Sequence, residues 1–396
     1  MTALVKCVVW DLDQTLLDGV YTESAVPPPP DPVLAGVLAE LGGRGILHAI
    51  ASKNPPSAAA HAARATGCAF AAAECGWGRK SEAVARIAAS LGLGLDALAF
   101  VDDDPYERAE VELALPQVLV LSPEDAAEAG GWPEFRPPVV TAEARRRAEL
   151  YAQRRRRQDS EREFAGSKED FRHWAGTRIS LGYAAPADLP RLHELAVRTH
   201  QLNSGEPPGS GAAATGTEQW FQAALDTPGQ DVITVRLRDR FGDDGLVGGC
   251  VTARDPAGTV TVRLLVMSCR AMGRGVLDVL LAWLVRAAAR EGAGQLRVPC
   301  VISDRNVPLR LALTAAGFRA DGSGAGGSGA GGSGAGGGGT AGTGETRATF
   351  SREVTGPVPS LPDWVSAPFD AGPGEAGRGD AGTGEAGPGE AGPGPA

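Results

Sequence analysis

The sequence predicts an α/β protein in which a doubly wound parallel sheet is followed by a second domain of α+β architecture. Three observations predict it. Short apolar runs in the first 125 residues stop abruptly on polar residues, with helical periodicity between them. From residue 177 a β-α-α-β-β-β-α-β-α-β order follows. The glycine excess is confined: 24 of the 55 glycines fall in residues 321–346 and 371–396, which leaves an ordinary globular composition elsewhere. A length of 396 residues suits two or three domains at the usual ~100 to 200 residues each.

Cys7-Val8-Val9-Trp10 is a continuous apolar run ending at Asp11, as in a strand buried on both faces of a parallel sheet. Ile46–Ala51 ends at Ser52, Leu98–Val101 ends at Asp102, and Val118–Leu121 makes a fourth run. Val84, Ile87, Ala88 and Leu91 recur at helical spacing behind Ser81, the expected N-cap. Strand and helix in alternation build a sheet that binds its ligand at the carboxyl ends of the strands. Polar residues gather at those ends: Asp11-Leu12-Asp13-Gln14-Thr15, Ser52-Lys53-Asn54, Lys80 and Asp102-Asp103-Asp104.

Phosphoryl transfer needs a carboxylate nucleophile, a second carboxyl as acid and base, carboxylates for a magnesium ion, and donors for the phosphate oxygens. Every part has a candidate in a workable order, and with only 4 lysines against 34 arginines Lys80 stands out. Taken singly, a strand-end aspartate is more often a turn or helix cap; four clusters in order favour the catalytic assignment. Only 36 residues separate Thr15 from Ser52 and 27 separate Ser52 from Lys80, too few for a separate lid domain. An open site suits a large or tethered substrate, or one covered by another domain. A lidless metabolite phosphatase is the plainer alternative.

Residues 141–176 are charged and helical in pattern, with Arg145–Arg147 and Arg154–Arg157 among glutamates. They read as a solvated connector, with a docking face for an acidic carrier protein as the alternative. Beyond it come a strand at Arg178–Tyr183, a helix opened near Asp188 with Pro190 in its first turn, and a helix at 218–225. Strands at 231–238, 245–253 and 259–267 precede a helix at 276–290, a strand at 295–301, a helix at 306–316 and a strand at 347–353. In Arg270-Ala271-Met272-Gly273-Arg274-Gly275 the glycines admit a close ligand and the following helix N-terminus favours anionic oxygens. Cys269, immediately before it, is expected either as a thiolate stabilised by those charges or as a structural cysteine.

The order Asp-x-Asp-x-Thr, Ser, Lys, Asp-Asp over residues 1–125 resembles the haloacid dehalogenase (HAD) superfamily. That resemblance implies Asp11 as nucleophile and Asp13 as acid/base. It implies phosphate contacts from Thr15, Ser52, Lys53, Asn54 and Lys80, and magnesium held by Asp11, Asp13, Asp102 and Asp103. The hexapeptide at 270–275 fits the Arg/Gln-x-x-Gly-x-Gly loop of GNAT acyltransferases, which holds a pyrophosphate, and Asn306 with Ala316-Gly317-Phe318 looks like their next motif. The pairing of the two, with Arg198-Thr199-His200-Gln201-Leu202-Asn203 and Ser268–Gly275, resembles the FkbH-like family over residues 4–319 and 347–365. Gln14, Asp104 and His200 stand where asparagine is common in that family.

The family resemblance implies a glyceryl transferase/phosphatase of polyketide extender-unit biosynthesis. It would take 1,3-bisphosphoglycerate or another phosphorylated three-carbon acid, and load a glyceryl unit onto the phosphopantetheine of an acyl carrier protein. Cys269 is the expected acyl-carrying thiol, Cys75 its rival, and His200 and Asn203 are further acyl-site candidates. Two other classes compete: a small-molecule phosphatase fused to a coenzyme A-dependent acyltransferase, and a non-catalytic carrier-docking module.

The expected organisation is a phosphatase domain at 1–140, a connector at 141–176, an acyltransferase-like domain at 177–365 interrupted by a flexible loop at 321–346, and a disordered tail at 366–396. A net charge of -10 argues against a nucleic-acid partner, which would require a basic face. No apolar run approaches the ~18 residues of a membrane span, and six scattered cysteines suit a reducing compartment, so a cytoplasmic protein is expected.

Overall fold

The computed structural model describes residues 4–199, 201–205, 215–321, 347–355 and 358–367. The chain begins with β1 (Cys7–Trp10), α1 (Pro32–Gly43), β2 (Leu47–Ser52), α2 (Pro56–Thr66), β3 (Ala72–Cys75), α3 (Lys80–Leu91), β4 (Leu98–Val101), α4 (Pro105–Ala114), β5 (Leu119–Leu121) and α5 (Pro123–Glu128). Next come α6 (Ala142–Arg145), α7 (Arg147–Glu163) and α8 (Lys168–Trp174). The second part runs β6 (Arg178–Tyr183), α9 (Leu189–Arg198), α10 (Glu218–Asp226), β7 (Gln230–Asp239), β8 (Gly242–Arg254), β9 (Thr259–Met267), α11 (Val276–Arg290), β10 (Gln295–Val301), α12 (Val307–Ala315), β11 (Arg319–Ala320), β12 (Arg347–Glu353) and β13 (Val365–Ser366).

β1 to β5 form a parallel sheet in the order β3-β2-β1-β4-β5. Every residue of β1, β2 and β4 is buried, which is why these strands read as unbroken apolar runs. Alternate side chains face opposite layers. Val8 and Trp10 pack with Leu34, Leu38 and Leu41 of α1, whereas Cys7 and Val9 pack with Val84, Ile87 and Leu91 of α3. Strands β2 and β3 lie to one side of β1, β4 and β5 to the other, so the crevice at the carboxyl ends of β1 and β4 is the topological switch point. α3 starts two residues earlier than expected. Arg79 stands at its N-cap, and Ser81 gives its hydroxyl to Glu110 rather than capping the helix.

The second sheet has the order β11-β12-β10-β9-β8-β7-β6-β13. Pairing is antiparallel except for β9 with β10 and β6 with β13. α9 and α10 pack against one face through Leu192, Phe221, Val251 and Val266; α11 and α12 cover the other through Leu280, Leu284 and Leu309. The expected α+β class is the class observed. β9 and β10 pair only from Thr259–Thr261 to Gln295–Arg297 and then separate. Leu202–Gly205 threads the gap: Met267 N–H donates to Leu202 O (2.9 Å), Ser204 N–H to Leu265 O (3.0 Å) and Val301 N–H to Ser204 O (3.1 Å). The expected glycine-rich loop lies outside the described residues except for Asp321, as does the tail beyond Ala367; Ser366, expected in that tail, belongs to β13.

The expectation of a solvated connector fails. α7 buries Leu150, Tyr151 and Arg157. Arg157 pairs with Glu161 (3.0 Å) and Asp239 (3.3 Å) over the Phe171 ring, and Arg147 pairs with Glu194. The second part and α7 dock on the amino ends of the first sheet's strands. Arg198 donates to Gly45 O (3.2 Å), Arg154 to Leu91 O (3.0 Å), and Arg305 pairs with Asp96 (2.8 Å). Gly45 has φ 75° and lies so close to α6 that a Cβ would come within 2.6 Å of Ala144 O. No helix among the described residues is long and apolar enough to cross a membrane.

Candidate active site

Neighbouring strands β1 and β4 deliver Asp11 and Asp102 to the crevice, and Lys80 enters from the first residue of α3. Lys80 Nζ donates to Asp11, to Asp102 Oδ2 (2.9 Å) and to Ala51 O (2.8 Å). All three side chains are buried. Burial pushes the Asp11 carboxyl up to about 7; Lys80 works against that shift and Asp102 adds to it. Burial raises Asp102 in the same way, with Lys80 opposing. Burial pulls Lys80 down, but the two carboxylates outweigh it and leave its pKa raised.

Two carboxylates facing one ammonium leave the buried group with an excess of negative charge. Asp11, Asp102 and exposed Asp103 each offer one oxygen, all within 4.8 Å of one another. Hard oxygen donors, two buried and one facing water, fit a magnesium ion that keeps part of its hydration. The Asp13 carboxylate is not in this group. It accepts from Tyr21 N–H and from Asn54 Nδ2, both at 2.9 Å, so its side chain is held apart from the position expected of a metal ligand.

Thr15 is buried and hydrogen-bonded to Asp103, accepting from its N–H at 3.0 Å. Asn54 also donates to Ser52 Oγ (3.0 Å), which ties the end of β2 to the Asp13 loop. Lys53, expected on the phosphate, instead pairs with Glu107. Arg108 was not anticipated from the sequence. It donates to the carbonyls of Asp102 and Asp103, 2.7 Å each, and fixes the acidic loop; its only signal is its place in the helix that the aspartate triplet opens. Cys75 lines a small cleft with Ser52 and Lys80, and burial raises its thiol pKa. Trp77 and Tyr106, 84% and 75% exposed, stand in the segments that follow β3 and β4 at this end of the sheet.

Cys269 lies elsewhere. It lines a cavity of about 290 Å³ together with Lys6, Ala97, Arg198 and Arg270. Lys6 and Ala97 immediately precede β1 and β4, whereas Asp11 and Asp102 immediately follow them. The thiol and the carboxylates are therefore at opposite ends of the sheet, with a four-residue strand about 13 Å long between them. A stabilised thiolate at Cys269 is not what the structure shows, because burial raises the thiol's pKa against the opposing influence of Lys6, Arg154 and Arg270.

The glycine loop has the expected shape, with φ 75° at Gly273 and 78° at Gly275, but its arginines point inward. Arg274 is buried and paired with Asp239 (2.6 Å) and Asp244, while Arg270 donates to Asp244 O (3.4 Å). The loop, including Met272, borders a cavity of about 380 Å³ whose other wall carries Arg154, Arg157 and Lys168. Asn306 Nδ2 donates to Val301 O (2.6 Å). Asn203 Nδ2 donates to Ala196 O (3.1 Å) and Thr199 O (3.0 Å), so both asparagines hold backbone around the gap between β9 and β10. His200 lies outside the described residues.

No protein-family model matches the sequence, and no curated protein matches it. Among solved structures the chain is similar to the N-terminal part of a Bacteroides fragilis protein containing a phosphatase domain complexed with magnesium. That likeness has 26% identity, covers 33% of this chain and 39% of that one, and has a TM-score of 0.28. The chain is also similar to the 3-deoxy-D-manno-octulosonate 8-phosphate phosphatase of Moraxella catarrhalis, 22% identical over 29% of this chain and 64% of that one, TM-score 0.24. A third likeness is to the ribosomal-protein-S18-alanine N-acetyltransferase of Escherichia coli, 13% identical over 46% of this chain and 98% of that one, TM-score 0.31.

Proposed function

We propose that the chain is a magnesium-dependent phosphatase joined to an acyl-transfer domain. In this reading it takes 1,3-bisphosphoglycerate, or another phosphorylated three-carbon acid, and loads a glyceryl unit onto an acyl carrier protein for polyketide extender-unit synthesis. The observation that carries the phosphatase half is the convergence of Asp11, Lys80 and Asp102, with Asp103, at the switch point of the sheet. Asp11 attacks phosphorus and the bond to the leaving oxygen breaks, with Asp13 giving that oxygen its proton. Water then cleaves the aspartyl phosphate as Asp13 takes a proton from it. Asn54 and the Tyr21 N–H hold the Asp13 carboxyl in place for both steps. Lys80 and Ser52 hold phosphoryl oxygens. Magnesium, when bound by Asp11, Asp102 and Asp103, supplies neutralising charge for the phosphoryl group.

For the acyl half, the Cys269 sulfur attacks the acyl-phosphate carbonyl. The carbon–oxygen bond to phosphate breaks, and the thiol proton leaves with the released phosphate. A three-carbon unit held at Cys269 cannot reach Asp11 through the sheet, so phosphate is removed after the unit has moved to the carrier's arm. An unlidded crevice near Trp77 and Tyr106 suits such a carrier-borne substrate.

The test is incubation with 1,3-bisphosphoglycerate, magnesium and a holo carrier protein, followed by mass spectrometry. A glyceryl-carrier product, with phosphate release lost in Asp11→Asn, is the expected result. A glyceryl-protein adduct that persists in Cys269→Ala would move the acyl step to Cys75. A second reading, a phosphatase fused to a coenzyme A-dependent acyltransferase, is favoured by the open space in front of Gly273 beside the basic 380 Å³ cavity, which suits a pyrophosphate. Acyl transfer from acetyl-coenzyme A without a carrier protein would decide for it.

A further inference from the structure

Three loops meet at the carboxyl ends of β2, β1 and β4, and their side chains join them in a closed circuit. Asn54, after β2, donates to Asp13 Oδ2 (2.9 Å), after β1. Two residues further on, Thr15 donates to Asp103 Oδ1 (3.2 Å) and accepts from the Asp103 N–H (3.0 Å), which reaches the loop after β4. Arg108 donates to Asp103 O (2.7 Å) and so joins that loop to the start of α4. Its neighbour Glu107 pairs with Lys53, the residue before Asn54, and the circuit is complete. Because β2 and β4 flank β1, the circuit lies around the end of the strand that delivers Asp11.

The two partners that close the circuit are unequal. The Lys53 side chain is 39% exposed, that of Glu107 only 11%. A carboxylate this buried is destabilising once its cation leaves, because nothing then offsets its lost hydration. Were Lys53 to turn to a phosphate, Glu107 would stand unanswered on the helix that the aspartate triplet opens. The pair therefore holds, and Lys53 is not free to serve as a phosphate ligand. Ser52 stands on the β2 side of Asp11, Asp102 and Asp103 on the β4 side, so the two halves of the crevice keep their spacing through these ties. Misplacing reacting groups by about 1 Å can cost about a hundredfold in rate. An unlidded crevice must hold that spacing with its own loops.

We propose that the Lys53–Glu107 ion pair closes a positioning ring around Asp11, and that both residues set the geometry of phosphoryl transfer without touching the substrate. The rate effect rests on the phosphatase reading; the ring itself is a property of the loops. Two consequences separate this role from a direct phosphate contact. Cutting the ring at Lys53–Glu107 loosens its far side, where the Tyr21 N–H donates to Asp13 Oδ1 (2.9 Å), although that amide bonds to neither residue of the pair. Exchanging the two residues restores the ring, because a tie needs opposite charges and not a particular side for each.

Amide hydrogen exchange of the full-length protein, without magnesium or substrate, is read by peptide mass spectrometry, with peptides from β8 as the internal reference. The variants are Lys53→Met, Glu107→Gln and the exchanged pair Lys53→Glu with Glu107→Lys. Residues 12–22 are expected to exchange at least about threefold faster in Lys53→Met, less so in Glu107→Gln, whose amide still accepts from Lys53, and at the wild-type rate in the exchanged pair. With magnesium and p-nitrophenyl phosphate, Lys53→Met is expected to lower kcat about tenfold at unchanged KM, and the exchanged pair to recover to within about threefold of wild type. Wild-type exchange of residues 12–22 in both single variants overturns the ring, and this arm stands even if the exchanged pair does not fold. A raised KM at unchanged kcat in Lys53→Met, not recovered by the exchanged pair, overturns the positioning role and makes Lys53 a phosphate ligand. Faster exchange in the variants of a protein whose wild type releases no phosphate supports the ring and overturns the phosphatase reading alone, so the two failures are distinguishable.

Discussion

The Asp11 crevice and the Cys269 cavity sit at opposite ends of one parallel sheet and are electrically unbalanced in opposite senses. At the carboxyl end, Asp11 and Asp102 face a single ammonium, with a third carboxylate alongside. At the amino end, six cations line the cavity against three carboxylates, Asp96, Glu194 and Asp304. The first imbalance is made within one domain by strands that all point the same way. The second is made only when Lys6 of one domain, Arg147 of the connector and Arg191, Arg198 and Arg270 of the other come together. A parallel sheet thus concentrates chemistry at one end, while its other end becomes chemical through docking.

Two substitutions would break that comparison with the largest effects. Asp11→Asn is expected to lower phosphate release from a small phosphate ester by at least about a thousandfold, as loss of a nucleophile does, with an unchanged melting temperature. Residual activity within tenfold of wild type would remove the crevice from the chemistry. In the second domain the loop arginine should behave differently. Arg274→Gln leaves buried Asp244 without its cation and Asp239 with Arg157 alone, a cost of about 3 kcal/mol, to be read from urea unfolding. A stable variant that instead loses ligand binding would make Arg274 a ligand group and not a structural one.

Support beneath the crevice gives a smaller effect. His48 in β2 accepts from Trp10 Nε1 at its Nδ1 (3.1 Å) and approaches Leu38 O with Nε2 (3.0 Å), which fixes a neutral ring under the end of β1. Burial lowers its pKa to about 4. The unfolded chain, with the ordinary value near 6.5, therefore binds the proton more tightly than the native one. The stabilisation is complete above about pH 6.5 and is lost as pH falls toward 4, by on the order of 3 kcal/mol. In His48→Gln the pH dependence of unfolding should flatten by that amount between pH 7 and 4; an unaltered slope would mean His48 titrates normally.

The two ends also differed in how far the sequence foretold them. β1, β2 and β4 were legible because burial on both faces leaves unbroken apolar runs, and Asp11, Ser52 and Asp102 follow from where those runs stop. β3 was not, since Ala-Ala-Glu-Cys at the sheet edge has neither a run nor an alternation, and the two-residue β11 and β13 are too short for any period. Arg108 and Glu107 looked like ordinary helix-surface charges. The arginines of α7 looked solvated because their partners Glu194 and Asp239 are distant in sequence. Lys6 gave no signal at all: a single lysine before a strand acquires meaning only through residues nearly 200 positions away. Leu202–Gly205 has no periodicity, and its role in the gap between β9 and β10 is set by strands that separate in three dimensions.

The smallest effect concerns the loop that delivers the two aspartates. Gln14, between Asp13 and Thr15, is the one described non-glycine residue with positive φ, at 55°. That left-handed conformation costs most side chains roughly 1 kcal/mol, and asparagine tolerates it better than glutamine because its short amide bonds to the local backbone. An asparagine at this position would thus be favoured for a conformational reason independent of catalysis. Gln14→Asn is expected to stabilise the protein by about 0.5 kcal/mol with phosphate release unchanged, whereas Gln14→Val, β-branched and intolerant of positive φ, should cost more than that and slow the reaction by disturbing Asp13. If Gln14→Val melts and turns over like wild type, the loop is not held in this conformation, and the crevice owes less to its local backbone than the carboxyl end of the sheet suggests.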